Sequence, residues 1–473
     1  MATTTVDRRT PVLEGRAERA SAGKAARSLL PRSRIGEWSA GPDRKDPLEI
    51  LTEQEQTRVP DLVPIRHGRM AASAFAFYRG AAAVMASDLA PVPRSGLDVQ
   101  LCGDAHLVNF GGFAAPDRDL VFDVNDFDET ARGPFEWDLE RLGASFEVAT
   151  RERGMTTKER RELVLAVARS YREAMREFAA MRTLEVWYSR LDLNNLSARW
   201  GAEANPQMIR NLQRAAAKAE TKDHLRAFDR LVHVADGELR FVSDPPLLVP
   251  VSELFPDLEA AQMRETLLES MRRYRHTLAD DRRALFDRYR FVDLARKVVG
   301  VGSVGTRCWV ALLLGRDESD PLFLQVKEAE ASVLEPYLGG SEYGNHGQRV
   351  VAGQRLMQAA SDILLGWDRV EGPDGLERDF YMRQLWDWKI SPTIETMLPA
   401  GLRIYAQVCG WTLARGHARS GDAAAISGYL GTSDTFDRSL ARFAAAYAEQ
   451  NEKDHAALKA AIASGRMEAV SGI

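Results

Sequence analysis

The stretch Leu101–Glu129 (LCGDAHLVNFGGFAAPDRDLVFDVNDFDE) constrains the fold of this chain more than any other. A Gly-Asp pair follows a short apolar run and predicts a tight loop after a strand, and Leu120–Phe122 predict a second short strand. Polar side chains follow both runs: Asp104, His106 and Asn109 come after the first, and Asp123, Asp126 and Asp128 after the second. Carboxylates clustered at strand ends suit Mg²⁺, which prefers hard oxygen ligands. We therefore expect a metal site in this stretch.

The same residues also fit a type of reaction. A carboxylate that stays free of the metal can accept a proton from a hydroxyl group. An Asp, an Asn five positions later, and further Asp residues beyond a short strand are the components that phosphoryl transfer uses. For a single Gly-Asp pair, a surface turn with a helix-capping Asp is the simpler interpretation. The whole combination favours the chemical one.

Composition limits the classes of protein to which the chain can belong. The 473 residues are 45% hydrophobic and carry a net charge of −5, with a pI near 6.0. They can bury a large core in two or three lobes, and they lack the strongly basic domain of a nucleic-acid binder, so no nucleic-acid partner is expected. Three widely spaced cysteines in apolar surroundings predict buried thiols in a reducing compartment. Without a membrane-length apolar run or a signal core, we expect a cytoplasmic protein with no membrane partner.

A glycine motif occurs later in the chain. Gly300, Gly302 and Gly305 match the pattern GxGxxG, with Ser303 between them. A dinucleotide-binding fold requires a helix after these glycines, but Thr306–Leu314 reads as a strand. Strand, glycine-rich turn and strand instead form the loop that lays backbone amides over nucleotide phosphates in kinases. An ordinary hairpin turn is the alternative interpretation.

A lysine and a glutamate extend this expected nucleotide site. Leu322–Glu328 predict a third strand that carries Lys327, and a lysine in this place can meet α- and β-phosphates. A helix is predicted at 349–365, and a kinase would use such a helix to carry a glutamate that pairs with the lysine. That helix contains no glutamate, so Glu335, which precedes it, is the candidate. Taken alone, Lys327 would be an ordinary surface lysine on a strand.

A further strand is predicted at Asp379–Trp386 (DFYMRQLW). A strand in this place can line the adenine of a nucleotide, and Gln384 is its candidate contact. Together with the glycines and Lys327, this strand predicts ATP as the cofactor, with Mg²⁺ as its metal.

The whole chain predicts an α+β fold in four parts. Residues 1–46 are rich in Arg, Ala, Ser and Pro and poor in large apolar residues, which predicts a flexible N-terminal arm. Residues 47–290 have helical periodicity and predict a helical lobe that contains the loop at 101–129. Residues 291–398 predict a small antiparallel β lobe that binds the nucleotide. Residues 399–473 predict C-terminal helices that complete the helical lobe.

Residues 103–111 resemble the catalytic loop of aminoglycoside-phosphotransferase-like and other protein-kinase-like enzymes, whose pattern is H-G-D-x-H-x-x-N. The resemblance implies that Asp104 is the catalytic Asp and that Asn109 binds the metal. It also places His106 on the His that follows the catalytic Asp. The first His of the pattern is absent, because Cys102 stands there.

The run NDFDE at 125–129 resembles the metal-binding step of the same enzymes. The resemblance puts Asp126 on the metal ion, with Asp123 or Asp128 as a further ligand. It implies a two-lobed protein-kinase-like fold and an ATP- and Mg²⁺-dependent phosphotransferase. The acceptor would carry a hydroxyl group and could be a small molecule or a protein.

The order of these parts differs from that of an ordinary kinase, in which the glycine loop and the lysine precede the catalytic loop. Here they follow it, and a circular permutation explains the order. The stretch LARGHARSGD at 413–422 resembles the helix that normally leads into the catalytic loop, and here it lies near the C-terminus. Permutation is tolerated where chain termini lie close together at the surface.

Residues 45–460 also resemble the uncharacterised bacterial domain-of-unknown-function family 2252. The matching stretches are RMAASAFAFYRGAA, LCGDAHLVNFG, FDVNDFDE, KVVGVGSVGTR, LQVKEA and CGWTLARGHARSGD. The family implies no substrate.

Three other functions remain open on the sequence. A metal-dependent phosphoesterase would use the Gly-Asp-Ala-His run with Gly344-Asn345-His346 as its second motif. A nucleotidyl transferase on the same fold would move AMP instead of phosphate. A non-catalytic nucleotide-binding protein would keep the site without turnover.

Overall fold

The computed structural model of the chain describes residues 15–204, 206–220, 224–235, 237–256, 260–372, 374–385 and 388–472. Its α-helices are α1 Arg16–Ala25, α2 Pro47–Glu55, α3 Val63–Ala71, α4 Ala74–Gly80, α5 Ala82–Leu89, α6 Phe135–Glu152, α7 Thr157–Ala180, α8 Thr183–Tyr188, α9 Leu193–Trp200, α10 Pro206–Glu220, α11 His224–Leu231, α12 Val251–Leu254, α13 Ala260–His276, α14 Asp280–Phe286, α15 Glu335–Leu338, α16 His346–Met357, α17 Pro399–Ser420, α18 Ala423–Leu430 and α19 Thr435–Ala463. Its strands are β1 Asp98–Leu101, β2 Phe110–Ala114, β3 Leu120–Val124, β4 Ala131–Pro134, β5 Leu191–Asp192, β6 Val232–Ala235, β7 Glu238–Phe241, β8 Leu248–Pro250, β9 Arg290–Lys297, β10 Cys308–Leu314, β11 Pro321–Ala329, β12 Gly366–Glu371 and β13 Glu377–Gln384. The fold therefore mixes helices with antiparallel sheets, in agreement with the α+β prediction.

The largest sheet has six antiparallel strands in the order β12-β13-β11-β10-β9-β8. Successive side chains of a strand point to opposite faces, and both faces of this sheet are covered. Ala311 and Leu313 of β10 pack into a core with α13 and α14. Val310 and Leu312 pack on the opposite face with α11 and the β6–β7 hairpin. Both faces being covered explains why every residue of β11 is buried.

The helices α6, α7, α17 and α19 pack together as a helical body. Every residue of α6 from Phe135 to Thr150 is buried. α7 begins at a capping box formed by Thr156 and Glu159, which satisfies two backbone N–H groups at the helix start. Two small sheets, β1–β4 and β2–β3–β5, complete this body.

The prediction of a flexible arm is wrong from residue 15 onward, and residues 1–14 lie outside the described part of the chain. α1 packs on α18 so closely that a Cβ atom at Gly23 would lie 1.8 Å from the carbonyl oxygen of Ala425. Arg44 lies 2.6 Å from Asp88 and 2.6 Å from Asp454. Small residues and a buried ion-pair group therefore order this segment, although it contains few large apolar side chains.

The boundary predicted at residue 290 also differs from the structure. The strand Leu248–Pro250 pairs with β9, and α11 and α13 cover the six-stranded sheet. The sheet and its helices thus begin well before residue 290. The sequence does not reveal this boundary, because local periodicity does not show which distant strands pair. The helix predicted at 349–365 ends earlier, at Met357.

Cys102, Cys308 and Cys409 are free and buried, as predicted. In the part of the chain that the structure describes, no helix is both long enough and apolar enough to cross a bilayer.

Candidate functional site

The Gly-Asp loop, residues 102–109, is held by a buried carboxylate of α6. Asp138 accepts hydrogen bonds from the backbone N–H groups of Cys102 (2.8 Å) and Gly103 (3.0 Å). Gly103 has a φ of +85°, and a Cβ atom there would lie 2.1 Å from the carbonyl oxygen of Glu129. Only glycine fits such a position. The Gly-Asp loop is therefore fixed directly against the Asp-rich segment, residues 123–129.

The stretch LARGHARSGD, residues 413–422, begins in the last turns of α17. Its side chains contact the core side of the Gly-Asp loop and of the Asp-rich segment. Nε2 of His417 lies 3.2 Å from the carboxylate of Asp138, and its Nδ1 lies 2.8 Å from the hydroxyl of Tyr171. Arg415 donates a hydrogen bond to Asp123. All five of these side chains are buried. This stretch therefore positions the Gly-Asp loop and the Asp-rich segment from inside the core.

Asp104 has one oxygen engaged and one available. Nε and Nη2 of Arg141 lie 2.9 and 2.8 Å from its Oδ1. Its Oδ2 faces Nε2 of His106 at 3.6 Å, which is beyond hydrogen-bond length. The side chain is 20% exposed. A carboxylate that is fixed through one oxygen and open at the other can accept a proton.

His106 is a neutral side chain in this site. Burial lowers its pKa to about 4, and the charges of Arg79 and Arg141 add to this effect while Asp104 opposes it. Its Nδ1 is buried and has no hydrogen-bond partner among the described residues. The ring meets that of Phe75 edge-on at a centroid distance of 6.4 Å. His106 therefore shapes the surroundings of Asp104 without adding a charge at neutral pH.

Asn109 closes the Gly-Asp loop and lies next to the Asp-rich segment. Its Nδ2 donates a hydrogen bond to the carbonyl oxygen of Asp104 (2.9 Å), which leaves the amide oxygen for other partners. Its own carbonyl accepts a hydrogen bond from the N–H of Asn125 (2.8 Å). The pairing of β2 with β3 creates this contact and brings Asn109 beside Asp126.

Lys327 reaches across from the six-stranded sheet to the Asp-rich segment. Its Nζ lies 2.5 Å from Oδ2 of Asp128 and 3.6 Å from Oδ2 of Asp126. The hydroxyl of Tyr381, the neighbour of Lys327 on β13, donates a hydrogen bond to Oδ1 of Asp128 (2.6 Å). Asp128 therefore binds two adjacent strands of the sheet and fixes the lysine.

The charges of this group stabilise one another. Burial alone would lower the pKa of Lys327, but Asp126 and Asp128 outweigh it and raise that pKa well above its usual value. Burial alone would raise the pKa of Asp126, but Lys327 and Arg383 outweigh it and lower that pKa. Lys327 and Asp126 are therefore both charged at neutral pH.

The glycine loop, residues 300–305, joins β9 to β10 and confirms the predicted order of strand, turn and strand. Its glycines at 300 and 305 have φ values of +66° and +93°, which favour glycine. Three donors from α3 and the residues before it bind carbonyl oxygens of this loop. Arg69 donates to Gly300 (2.6 Å), Arg58 donates to Val304, and the N–H of Val59 donates to Gly305 (2.8 Å). The glycine loop is thus bound to the segment between α2 and α3 and to α3 itself.

Two adjoining cavities meet at these residues. The basic cavity, of about 420 Å³, is lined by the cationic side chains Arg79, Arg118, Lys297, Lys327, Arg383 and Lys389. The acidic cavity, of about 400 Å³, is lined by the carboxylates Asp104, Asp126, Asp128, Glu129, Glu328, Glu330 and Glu335. Both cavities are lined by Arg79, Asn109, Asp126, Gly300 and Ser303. The charge of the walls therefore changes sign where the cavities join.

Most of the predicted site residues line these cavities. The basic cavity includes Asn109, Asp126, Gly300, Ser303, Lys327 and Gln384. The acidic cavity adds Asp104, His106, Asp128, Gly302 and Glu335. Gly305, the last residue of the glycine loop, lies against Arg58, and Asp123 lies in the core.

Asp123 does not fit its predicted role of metal ligand. Its Oδ1 accepts hydrogen bonds from Arg415 and from the N–H of Val124 (2.9 Å), and its Oδ2 accepts one from the N–H of Ala359 (3.0 Å). The side chain is 3% exposed. Successive side chains of a strand point to opposite faces, and Asp123 of β3 points into the core and not toward the cavities.

Glu335 does not fit its predicted role as the partner of Lys327. Its Oε1 lies 3.1 Å from the N–H of Ser332 and 3.4 Å from Nε of Arg349. Arg349 in turn donates to the carbonyl of Asp128 (2.8 Å) and so holds the Asp-rich segment. The carboxylate that pairs with Lys327 is that of Asp128, which was predicted to bind metal.

Several site residues were missed from the sequence. In β13, Tyr381 and Arg383 alternate with Phe380 and Met382, which pack in the core of the large sheet. Because side chains alternate between the faces of a strand, the run DFYMRQLW places Tyr381 and Arg383 on one face. Arg383 donates hydrogen bonds to Gln325 (3.1 Å) and to the carbonyl of Asn125 (2.8 Å). Nothing in the local sequence singles out Arg141, because its role depends on how α6 packs.

The residues present fit a magnesium ion that binds together with phosphate. In the described ranges, no three His, Cys, Asp or Glu side chains are grouped to hold a metal by themselves. Mg²⁺ usually takes one or two carboxylates and completes its shell with water and phosphate oxygens. Asn109 and Asp126 both line the two cavities, and an amide oxygen and a carboxylate are ligand types that such a partial site would use.

The second motif of a phosphoesterase does not reach Asp104. Asn345 begins α16, and its Nδ2 donates to Asp379 (2.8 Å). The N–H of His346 donates to the same carboxylate (2.7 Å). These two residues thus stabilise the start of α16, and neither belongs to the lining of the two cavities.

Comparison with known families gives one match. The profile of a family described as "Uncharacterized protein conserved in bacteria (DUF2252)" matches residues 58–461. No curated protein and no solved structure matches the chain.

Proposed function

Since the chain belongs to the uncharacterised bacterial family DUF2252, we propose its function from the geometry of the site: an ATP- and Mg²⁺-dependent phosphotransferase that acts on a hydroxyl-bearing acceptor. The observation that carries this proposal is the position of Lys327. A buried lysine on the sheet lines the basic cavity and pairs with the Asp-rich segment, which lines the acidic cavity together with Asp104 and residues of the glycine loop. These are the components that phosphoryl transfer requires.

The two cavities fit the two substrates. The cationic walls of the basic cavity suit a polyphosphate, and Lys327 would meet its phosphate oxygens. Gln384 also lines this cavity, and its Nε2 donates to Asp362 (2.7 Å). The acidic cavity contains Asp104 and would receive the acceptor.

Asp104 would act as the proton acceptor of the reaction. The acceptor oxygen forms a bond to the γ-phosphorus while the bond from that phosphorus to the bridging oxygen of ADP breaks. The hydroxyl proton passes to Oδ2 of Asp104, and ADP leaves with the bonding electron pair. Arg141 keeps the carboxylate oriented through Oδ1. Most of the rate would come from positioning and from charge stabilisation.

Asn109 and Asp126 would hold the metal ion. When bound, Mg²⁺ supplies positive charge to the phosphate oxygens. Asp128 would hold Lys327 in place, which is the role that a helix glutamate has in ordinary kinases.

We also propose that the architecture is a circularly permuted, two-lobed kinase-like fold. The six-stranded sheet with its glycine loop would be the small lobe, and the helical body the large one. The C-terminal end of α17 lies beside β1, because the N–H of Gln100 donates to the hydroxyl of Ser420 (3.1 Å). A chain that ran directly from α17 into β1 and the Gly-Asp loop would have the ordinary kinase order.

A thermal-shift titration tests the proposed function. A ligand that binds only the folded state raises the melting temperature. We expect ATP with Mg²⁺ to raise it, and we expect the rise to be lost in Lys327→Met but kept in Lys158→Met, a matched change at an exposed position of α7. No rise at millimolar ATP would overturn the proposal. For a bound nucleotide, the mass of the modified acceptor would distinguish phosphoryl from AMP transfer.

A further inference from the structure

Arg79 lies at the centre of the site, where the basic and acidic cavities join. It lies in the last turn of α4 and lines both cavities. Its Nε is buried, and the guanidinium has no hydrogen bond or ion pair to any residue that the structure describes. A guanidinium has five donors, and leaving buried donors unsatisfied is costly. Such a group calls for an anion that binds there.

Three other cations near the junction are already engaged. Lys327 is bound to Asp128, and Arg141 to Asp104. Arg383 donates to the carbonyl of Asn125. Arg79 thus differs from these side chains in having its donors available to a ligand.

The backbone of Arg79 is fixed against the glycine loop. A Cβ atom at Gly302 would lie 3.2 Å from the carbonyl oxygen of Arg79, so the loop and the end of α4 touch. Arg79 and Asp104 line the same acidic cavity without forming an ion pair with each other. Arg79 therefore lies between the glycine loop, which belongs to the donor side, and the carboxylate of the acceptor side.

We infer that Arg79 binds the phosphoryl group that is transferred, through non-bridging oxygens, where the basic and acidic cavities join. This inference rests on the proposed function. Arginine suits the task because its planar fork donates two parallel hydrogen bonds to a phosphate and keeps its charge. The position at the junction distinguishes it from Lys327, whose ammonium lies deeper, against the Asp-rich segment.

The experiment compares two nucleotides that differ only in the terminal phosphoryl group. Binding of ADP and of adenylyl imidodiphosphate, both with Mg²⁺, is measured by calorimetry on the full chain for the wild type, Arg79→Gln and Arg79→Lys. Hydrogen bonds to charged groups predict that the wild type prefers the triphosphate analogue and that Arg79→Gln loses on the order of 10- to 100-fold of this preference. Its affinity for ADP should stay close to that of the wild type. Arg79→Lys should recover part of the preference.

A neighbouring arginine provides the control. Arg69→Gln removes a guanidinium that binds the glycine loop through Gly300 but does not line either cavity. It should change the affinities for both nucleotides by the same factor. The apo melting temperature of each variant shows whether it is folded, and Arg79→Lys replaces Arg79→Gln if the latter is not.

Each outcome decides between the two levels of inference. A triphosphate preference that persists unchanged in the Arg79 variants, with ADP binding intact, would overturn the role of Arg79 and leave the proposed function standing. Failure of the wild type to bind either nucleotide would overturn both. Titration with inorganic phosphate separates the sources of the anion: if phosphate binds in the wild type but nucleotides do not, Arg79 serves a free anion and the transfer role is wrong.

Discussion

Nζ of Lys327 lies 2.5 Å from Oδ2 of Asp128, in a contact that joins two residues 199 positions apart in the chain. The side chain of Lys327 is only 3% exposed, and the second oxygen of the carboxylate accepts a hydrogen bond from Tyr381. The central strand of the large sheet is thereby attached to the Asp-rich segment through one carboxylate. This contact allows predictions that do not depend on any ligand.

Removing one partner of this ion pair should be more harmful than removing both. Asp128→Asn leaves the buried Lys327 without its nearest countercharge, and breaking a buried pair costs about 3–5 kcal/mol. We expect the double variant Asp128→Asn with Lys327→Met to be more stable than the sum of the two single changes predicts. Urea unfolding of the four proteins measures the coupling, and Tyr381→Phe, which removes only a hydroxyl, serves as the mild control. Additive effects would show that the pair is not coupled.

Asp126 and Asp123 should give different results when each is changed to Asn. Asp126→Asn removes a carboxylate that lines both cavities, so we expect ATP binding to lose its dependence on Mg²⁺. Asp123→Asn leaves Arg415 buried without its countercharge, so it should lower stability by about 3 kcal/mol or more. Titration of ATP with and without Mg²⁺ at a temperature where both variants are folded separates the effects. Loss of Mg²⁺ dependence in Asp123→Asn alone would reverse the assignment.

Asp104→Asn should abolish transfer while it preserves nucleotide binding. The amide keeps an oxygen for Arg141 but cannot accept the hydroxyl proton, and a missing general base typically costs about 10²- to 10⁴-fold in rate. Once an acceptor is available, turnover is compared with the calorimetric affinity for ATP. Asp104→Glu is the matched control that retains a carboxylate. Unchanged turnover in Asp104→Asn would show that Asp104 is not the base.

His106 should make the protein sensitive to acid. Burial lowers its pKa to about 4 in the folded state, whereas an unfolded histidine has a pKa near 6.5. Between these values the unfolded chain binds more protons, so the contribution of His106 to stability decreases as the pH falls from 6.5 to 4, by up to about 3 kcal/mol. Chemical unfolding of the wild type and of His106→Asn across this range isolates the effect. Parallel stability curves for the two proteins would contradict it.

Gly103→Ala should be strongly destabilising. The φ of +85° is unfavourable for alanine, and the added Cβ would lie 2.1 Å from the carbonyl oxygen of Glu129, a backbone atom that cannot move aside cheaply. Backbone strain and overpacking each cost about 1–3 kcal/mol. Gly154→Ala is the control, because Gly154 has a φ of +70° but no atom within 4 Å of an added Cβ. Unfolding free energies of the two variants separate crowding from strain, and equal losses would exclude crowding.

The parts of the site that could be predicted are those that local sequence determines. Asp104 and Asn109 occur in one short loop, and Lys327 lies near the end of a short apolar run that predicts a strand. The partner of Lys327 could not be predicted in the same way, since the choice between Glu335 and Asp128 depends on which segment the sheet meets in space. Asp128 reaches Lys327 because Arg349 holds the carbonyl of Asp128 from α16, and no local pattern reveals that contact.

The same distinction applies to the fold. Local sequence identifies individual strands, and β10 and β11 lie close to where the sequence predicts them. The sequence does not predict that the segment from residue 15 onward has an ordered structure. Its packing depends on small residues that let two helix backbones approach, as at Gly23. A prediction based on the number of large apolar side chains therefore underestimates such contacts.

The contacts that hold the glycine loop against α3 and the residues before it bear on the thermodynamics of the proposed nucleotide binding. Arg69 and Val59 hold carbonyl oxygens of this loop before any nucleotide arrives. The conformational entropy of the loop is thus lost when the protein folds, and little remains to be lost when a ligand binds. If the loop binds a nucleotide as proposed, the affinity would depend on how firmly α3 and the residues before it are packed. A change in that distant packing would then weaken binding without altering any residue that touches the ligand.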